Sequence, residues 1–287
     1  MAGKTVLVTG GNAGIGRETA VALALLGAQV TITSRDPDRG RVAVDDIRAR
    51  SGRDDVAVVP LDLARLASVR ECADAVAAGR DRLDVLVNNA GLLLNTRQVT
   101  VDGYETTFQV NHLGHFLLTQ QLRPLLAAAA PARVVNVSSV AHQTARRGLD
   151  FDDLQSSRRY RPMAVYGKSK LANVLFTREL GRRWDGDGVT ANALHPGVVA
   201  SRFGRDGDFG VIGTFVFPLI RPFVLTPVQG AQTSVFLASA PDLDGVTGGY
   251  WAKSTPSTSS AAAQDDVAAA RLWDVSTVLV GCGESGS

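Results

Sequence analysis

The chain has 287 residues, 45% hydrophobic and 20% charged, with 30 basic against 28 acidic residues and a formal net charge of +2 at pH 7. That composition excludes a disordered segment, and the interspersed charges exclude the clustered positive footprint that a nucleic-acid partner requires. The basic residues are 26 Arg and only four Lys (Lys4, Lys168, Lys170, Lys253), and two of the four fall within Tyr166-Gly-Lys-Ser-Lys170, which marks that segment for a task needing a compact, titratable ammonium. Cys72 and Cys282 form no spaced framework, which fits a reducing, cytoplasmic compartment and argues against a zinc site. The N-terminus enters a strand pattern at once, leaving no room for a signal peptide or anchor helix, and no apolar run approaches the ~20 residues of a spanning helix.

Short β-branched apolar runs alternate with longer helical patterns, as βαβ units require. The first strand, 5–9, runs into Thr9-Gly-Gly-Asn-Ala-Gly-Ile-Gly16, which opens an amphipathic helix over 15–26. Its glycines allow a tight turn, a close approach to a pyrophosphate and packing of helix on strand, while the helix N-terminus adds N–H donors and partial positive charge. A glycine-rich turn alone would be ordinary loop chemistry. The strand–turn–helix context makes Gly10, Asn12, Gly14, Ile15 and Gly16 a predicted dinucleotide cradle. The second strand, 30–34, ends where a site for NAD would place an acid on the ribose hydroxyls. Ser34 and Arg35 stand there instead, with Asp36 next and Arg39 a turn on. Ser34 can donate to a 2′-phosphate, and Arg35 can pair with it and lie against adenine, so NADP (NADPH) is expected over NAD. The plainer alternative is that Arg35 is one surface arginine among many.

The third strand, 56–61, leads to Asp62-Leu63 and a helix over 66–78, and the fourth, 83–88, leads to Asn88-Asn89-Ala90-Gly91, which by itself reads as a plain turn. A longer helical stretch covers 103–130 and carries Asn111, His112 and His115. The four histidines lack metal-ligand spacing, and His112 and His115 are read as packed or surface residues. The fifth strand, 133–138, ends on Ser138-Ser139. Tyr166 and Lys170 follow at i and i+4 of a predicted helix, so both face one way. After a sixth strand, 189–194, and Pro196, the Gly-, Phe- and Pro-rich stretch 198–227 reads as an insertion over the carboxyl edge of the sheet. Within it, 211–227 is apolar but broken by prolines and Arg221, which suits a lid over an apolar substrate or packing against the core or a subunit. A helix over 228–239, a last strand near 249–252 and a terminal helix over 265–280 complete the pattern. The fold expected is α/β: one domain over 1–280, a doubly wound (Rossmann) parallel sheet of about seven strands with helices on both faces, and a tail at 281–287.

These segments, in this order and nearly end to end, resemble the short-chain dehydrogenase/reductase family. The longer runs Phe108-Gln-Val-Asn-His-Leu-Gly-His-Phe116, Tyr166-Gly-Lys-Ser-Lys-Leu-Ala-Asn173 and His195-Pro-Gly197 look like its retinol-dehydrogenase-like branch. The resemblance implies that Asp62 bonds the adenine amino group with Leu63 lining that pocket, and that Asn89, Ala90 and Gly91 run beside the cofactor ribose. It implies further that Pro196 belongs to the cofactor site and that Val199 meets the nicotinamide carboxamide through its backbone. The catalytic set it implies is Ser139, Tyr166, Lys170 and Asn111.

For Tyr166 and Lys170 the chemistry can be reasoned directly. An unperturbed tyrosine, with a pKa of ~10, is a sluggish base at neutral pH. The Lys170 ammonium, with the positive nicotinamide ring of the oxidised cofactor, should lower that value. Tyr166 can then protonate a carbonyl oxygen in reduction, or deprotonate an alcohol in oxidation, as the hydride moves. Spacing alone does not choose between the two serines. The family pattern favours Ser139 as the second partner of that oxygen, with Ser138 turned into the fold because strand neighbours alternate faces. By resemblance, Asn111 would position a water linking Lys170 to solvent. The function expected is that of an NADP-dependent oxidoreductase, ketoreductase-like, acting on an apolar small molecule, with no nucleic acid and no integral membrane segment. The resemblance leaves room for a homo-oligomer, dimers and tetramers being usual in the family. Two other classes are a sugar-nucleotide epimerase or dehydratase and a non-catalytic NADP-sensing regulator.

Overall fold

The computed structural model describes residues 1–197 and 225–282. In chain order these residues form β1 (Thr5–Val8), α1 (Gly14–Leu25), β2 (Gln29–Ser34), α2 (Pro37–Ser51), β3 (Ala57–Pro60), α3 (Leu66–Ala78) and β4 (Val85–Asn88). Then come α4 (Thr106–Phe108), a π turn (Gln109–Leu113), α5 (Gly114–Gln121), α6 (Arg123–Ala128), β5 (Ala132–Val137), a 3-10 turn (Val140–Thr144) and α7 (Pro162–Arg183). The last elements are β6 (Val189–His195), α8 (Pro227–Ser239), β7 (Tyr250–Ala252), β8 (Thr255–Pro256) and α9 (Asp266–Val280).

The strands form one sheet in the order β3-β2-β1-β4-β5-β6-β7-β8. Every pairing is parallel except the last, between β7 and the two-residue β8. Seven parallel strands match the expectation, and the antiparallel eighth lies beyond it because two residues carry no readable period. Strand alternation sorts the core into two layers. Leu7 and Leu86 face a cluster with Val69, Phe116, Phe176, Trp184 and Trp273, while Val6 and Val8 face another with Leu23, Ile32, Ile47 and Leu237. Each such side chain, fully buried, contributes ~1.5–3 kcal/mol, so both faces of the sheet hold their helices firmly. Among the described residues no helix is long and apolar enough to cross a membrane.

One local reading is corrected, and one helix is added. The stretch over 103–130 is not one helix: a π turn interrupts it, and Leu122 leaves helical geometry just before Pro124, which lacks the N–H that the preceding turn would need. Between β2 and β3 stands α2, for which the sequence showed only a narrow stripe of Ala43, Val44 and Ile47 among charges. Local chemistry sets its ends: Asp36 caps it by accepting from the amides of Asp38 and Arg39, Pro37 opens it, and Gly52 closes it at φ 68°. The predicted insertion 198–227 lies outside the described residues but for its last three, where Thr226 and Gln229 form a capping box for α8. Of the predicted tail, Gly281 closes α9 at φ 66°, and 283–287 lie outside the described residues.

Candidate active site

The strand order reverses at β1, whose neighbours β2 and β4 lead to opposite edges of the sheet. Open α/β sheets bind ligands in the crevice at such a point, beyond the carboxyl ends of the strands. The loops after β1 and β4 meet there. Thr9 Oγ1 accepts from the amides of Asn89 (2.8 Å) and Ala90 (3.0 Å), and Asn89 Nδ2 donates to the Thr9 carbonyl at 2.8 Å. Gly10 adopts φ +64°, and a Cβ on it would stand 3.0 Å from Ala90 Cβ; one on Gly16 would stand 2.4 Å from Asn89 Nδ2. Bare Cα atoms at these two positions therefore let the cradle close on the β4 loop, a contact within the protein that the sequence did not reveal.

The first turn of α1 fits an anionic group. Its N-cap, Ala13, makes no side-chain cap and no acid lies in the turn, so the amides of Gly14, Ile15 and Gly16 keep the donors and partial charge that a pyrophosphate would use. On the adenosine side Ser34 is buried and its hydroxyl donates to the Asp36 carbonyl at 2.7 Å, so its proton is already committed within the loop. Arg39 pairs with Asp36 at 3.4 Å. Arg35 is exposed and, among the described residues, has no ion pair, so recognition of a 2′-phosphate would fall to it. Asp62 accepts from the Ala64 amide at 3.0 Å, and Leu63 is buried against Gly114 at the start of α5. Pro196 follows β6, where the Gly197 amide donates to His195 Nδ1 at 3.2 Å. Val199 lies outside the described residues.

Further along the same edge, the structure brings together Ser139, Tyr166, Lys170 and Asn111. Ser139, two residues beyond β5, caps the 3-10 turn, its hydroxyl accepting from the Ala141 amide at 3.1 Å. Ser138 turns inward, as strand alternation requires, and donates to the Lys170 carbonyl at 2.7 Å. Gly167 permits the approach of α7 to this turn: a Cβ there would stand 2.1 Å from Thr144 Oγ1 and 2.7 Å from the Ala141 carbonyl. A glycine inside a helical pattern, between Tyr166 and Lys168, was the one sequence signal for that contact.

Lys170 is buried, with Nζ donating to the Val137 carbonyl at 3.0 Å and lying 5.7 Å from the centroid of the Tyr166 ring. Burial pushes the ammonium down to about 8. Tyr166 is pushed up, also by burial, to about 12, with a side-chain hydrogen bond to Ser139 pulling the other way. In the chain by itself, desolvation of the phenolate thus outweighs the Ser139 hydrogen bond; the expected lowering of Tyr166 involves the charged nicotinamide ring as well as Lys170. Asn111 sits in the π turn, where its side chain donates to the Leu92 carbonyl and to Ser169 Oγ, both at 2.9 Å, and accepts from the Leu92 amide at 2.8 Å. It thus braces the segment after Gly91 against α7. His112 and His115 are packed, not surface, residues, exposed by 0% and 2%. Their burial and that of His142, whose Nδ1 lies 2.7 Å from the Ser139 carbonyl, were not readable from spacing. Among the described residues no cluster of His, Cys, Asp and Glu could hold a metal.

A glycine cradle at the switch point, with proton-handling groups a few residues' width away, places the molecule among the dinucleotide-dependent oxidoreductases. The chain belongs to the short chain dehydrogenase family, whose model matches residues 4–150. It is 44% identical over 295 residues to retinol dehydrogenase 14 of Homo sapiens, covering 98% of this chain and 87% of that one. It is 46% identical over 279 residues to retinol dehydrogenase 12 of Mus musculus, covering 97% and 87%. Among solved structures, a crystallised protein from Mycobacterium Paratuberculosis superposes with a TM-score of 0.78 at 36% identity, covering 98% of this chain and 94% of that one. The NADP active-site complex of RhlG from Pseudomonas aeruginosa gives 0.70 at 30% identity, covering 87% and 94%. These likenesses bear out the resemblance to retinol dehydrogenases and the fold. They make the protein an oxidoreductase of the alcohol and carbonyl type, using a nicotinamide dinucleotide.

Proposed function

We propose that the protein is an NADP-dependent reductase of carbonyl groups on apolar small molecules, with Tyr166 as the general acid. The observation that carries this reading is the meeting of Ser139, Tyr166 and Lys170 at one end of the crevice that begins at the glycine cradle. Bound NADPH would supply the hydride. Ser139 would donate to the substrate oxygen and hold it in line, and Tyr166 would deliver the proton. Burial pushes its pKa up to about 12, so Tyr166 carries the proton that carbonyl reduction requires. Lys170 would keep a positive charge beside the phenol as its proton departs. Arg35, exposed beside the β2 terminus, supports the choice of NADP, and the retinol dehydrogenase relatives make apolar aldehydes the first substrates to try.

The test is NADPH consumption over a panel of apolar aldehydes, ketones and quinones, run with the wild type and with Tyr166→Phe. The variant is expected to lose roughly 100- to 10,000-fold in kcat, the usual worth of a positioned acid, while NADPH affinity changes little. Equal turnover by the two proteins would remove Tyr166 from the chemistry.

A further inference from the structure

His115 lies on α5, one turn beyond Asn111 and on the side of the sheet opposite α1, and it has two polar partners. Its Nε2 lies 2.9 Å from Thr9 Oγ1, and its Nδ1 lies 3.2 Å from the Asn111 carbonyl. Valence decides where its proton sits. A hydroxyl has one hydrogen and two lone pairs. Both lone pairs of Thr9 are taken by the amides of Asn89 and Ala90. Its hydrogen can go to the Val87 carbonyl at 3.4 Å or to His115 Nε2 at 2.9 Å, and the shorter contact is the better one. Nε2 then accepts, Nδ1 carries the hydrogen, and that hydrogen points at the Asn111 carbonyl. Burial, with the nearby Lys170 charge, pushes the imidazole down to about 4 and keeps it in this neutral form.

We propose that His115 is a positioning residue of this site, whose Nδ1-protonated imidazole ties Thr9 and the cofactor-side loop to the Asn111 backbone beside Lys170. Through Thr9 it reaches Asn89 and Ala90; through Asn111 it reaches Leu92 and Ser169, the neighbour of Lys170. Cofactor cradle and proton-handling helix are thereby held in one register by a single, buried ring. The inference rests on the nicotinamide-dinucleotide reading of the crevice for its function, though not for its geometry.

The test begins with nitrogen-15 NMR of the imidazole groups in the wild-type protein, so that no variant has to fold. The expected spectrum has His115 as the Nδ1–H tautomer, with its resonances moving when NADP is added. An Nε2–H tautomer, or a ring indifferent to a cofactor that demonstrably binds, overturns the proposal. The second arm compares His115→Phe, which fills the space without polar atoms, with His115→Gln, whose amide can both donate and accept. His115→Phe is expected to raise the Kd for NADPH, read by nucleotide fluorescence, and to lower kcat, each by about tenfold for the loss of buried hydrogen bonds. His115→Gln is expected to recover most of both. A side chain that merely filled the core would be replaced by Phe without loss, and that result also overturns the proposal. If the wild type itself binds no nicotinamide dinucleotide, the functional reading falls first, and the tautomer in the free protein still decides the bond pattern.

Discussion

Lys170 is where the opening scarcity of lysine acquires a physical meaning. It is a buried ammonium whose pKa falls to about 8, which an arginine could not provide. Below that pH the group is charged and can offset the developing tyrosinate; above it the group is neutral and cannot. Tyr166, pushed to about 12, gives up its proton only at still higher pH. The two shifts are opposite and the lower value sets the limit, so kcat/KM for carbonyl reduction should be high below pH 8 and fall as pH rises past it and Lys170 loses its charge. A profile that climbs through pH 9 would detach Lys170 from this role. Tyr166 and Lys170 could be read from the sequence as neighbours on one helix face, while Ser139 and Asn111 entered only through the family resemblance. The environment that moves the proton affinities of Tyr166 and Lys170 was not legible, because it is made by strands and turns far away in the chain.

At the scale of elements, α7 and the 3-10 turn after β5 decide whether Ser139 and Tyr166 meet. Gly167 makes their contact possible. A methyl in its place meets a backbone carbonyl at 2.7 Å, which cannot rotate away as the Thr144 hydroxyl could. Overpacking of this kind costs ~1–3 kcal/mol, more than the ~1 kcal/mol that alanine gains over glycine in a helix interior. Gly167→Ala is therefore expected to lower stability by about 1 kcal/mol and to lower kcat, measured by urea unfolding and turnover on the same preparation. A variant that is more stable and fully active would show that the turn yields freely. The strands and most helices were readable from period and caps, since those signals are local. The π turn was not, because nothing in Phe108–Phe116 itself marks where the α-helical ladder slips; the slip shows only against Leu92 and Ser169.

For the whole molecule, the crevice is assembled from loops separated by some 80 residues, as the Thr9 to Asn89 bonds show. A ligand that bridges them binds the folded state alone and stabilises it. NADPH at a hundred times its Kd should contribute about 2.7 kcal/mol, or a Tm rise of about 4–5 °C for a domain of this size. At equal concentration NADH should give less, and Arg35→Ala should remove most of the difference. Equal shifts from the two nucleotides in the wild type would make the preference for the 2′-phosphate untenable.

Residue types and their spacing were enough to determine the parallel sheet, the glycine-rich turn after β1, the inward turn of Ser138 and the face shared by Tyr166 and Lys170. Those properties depend on backbone period and on motifs within a few residues of one another. Only the tertiary structure decided that Ser34 donates its proton to the Asp36 carbonyl, that Tyr166 is buried beside Ser139, and that His115 stands between Thr9 and Asn111. Each of these depends on which distant groups exclude water or offer a lone pair, and folding alone brings such groups within reach.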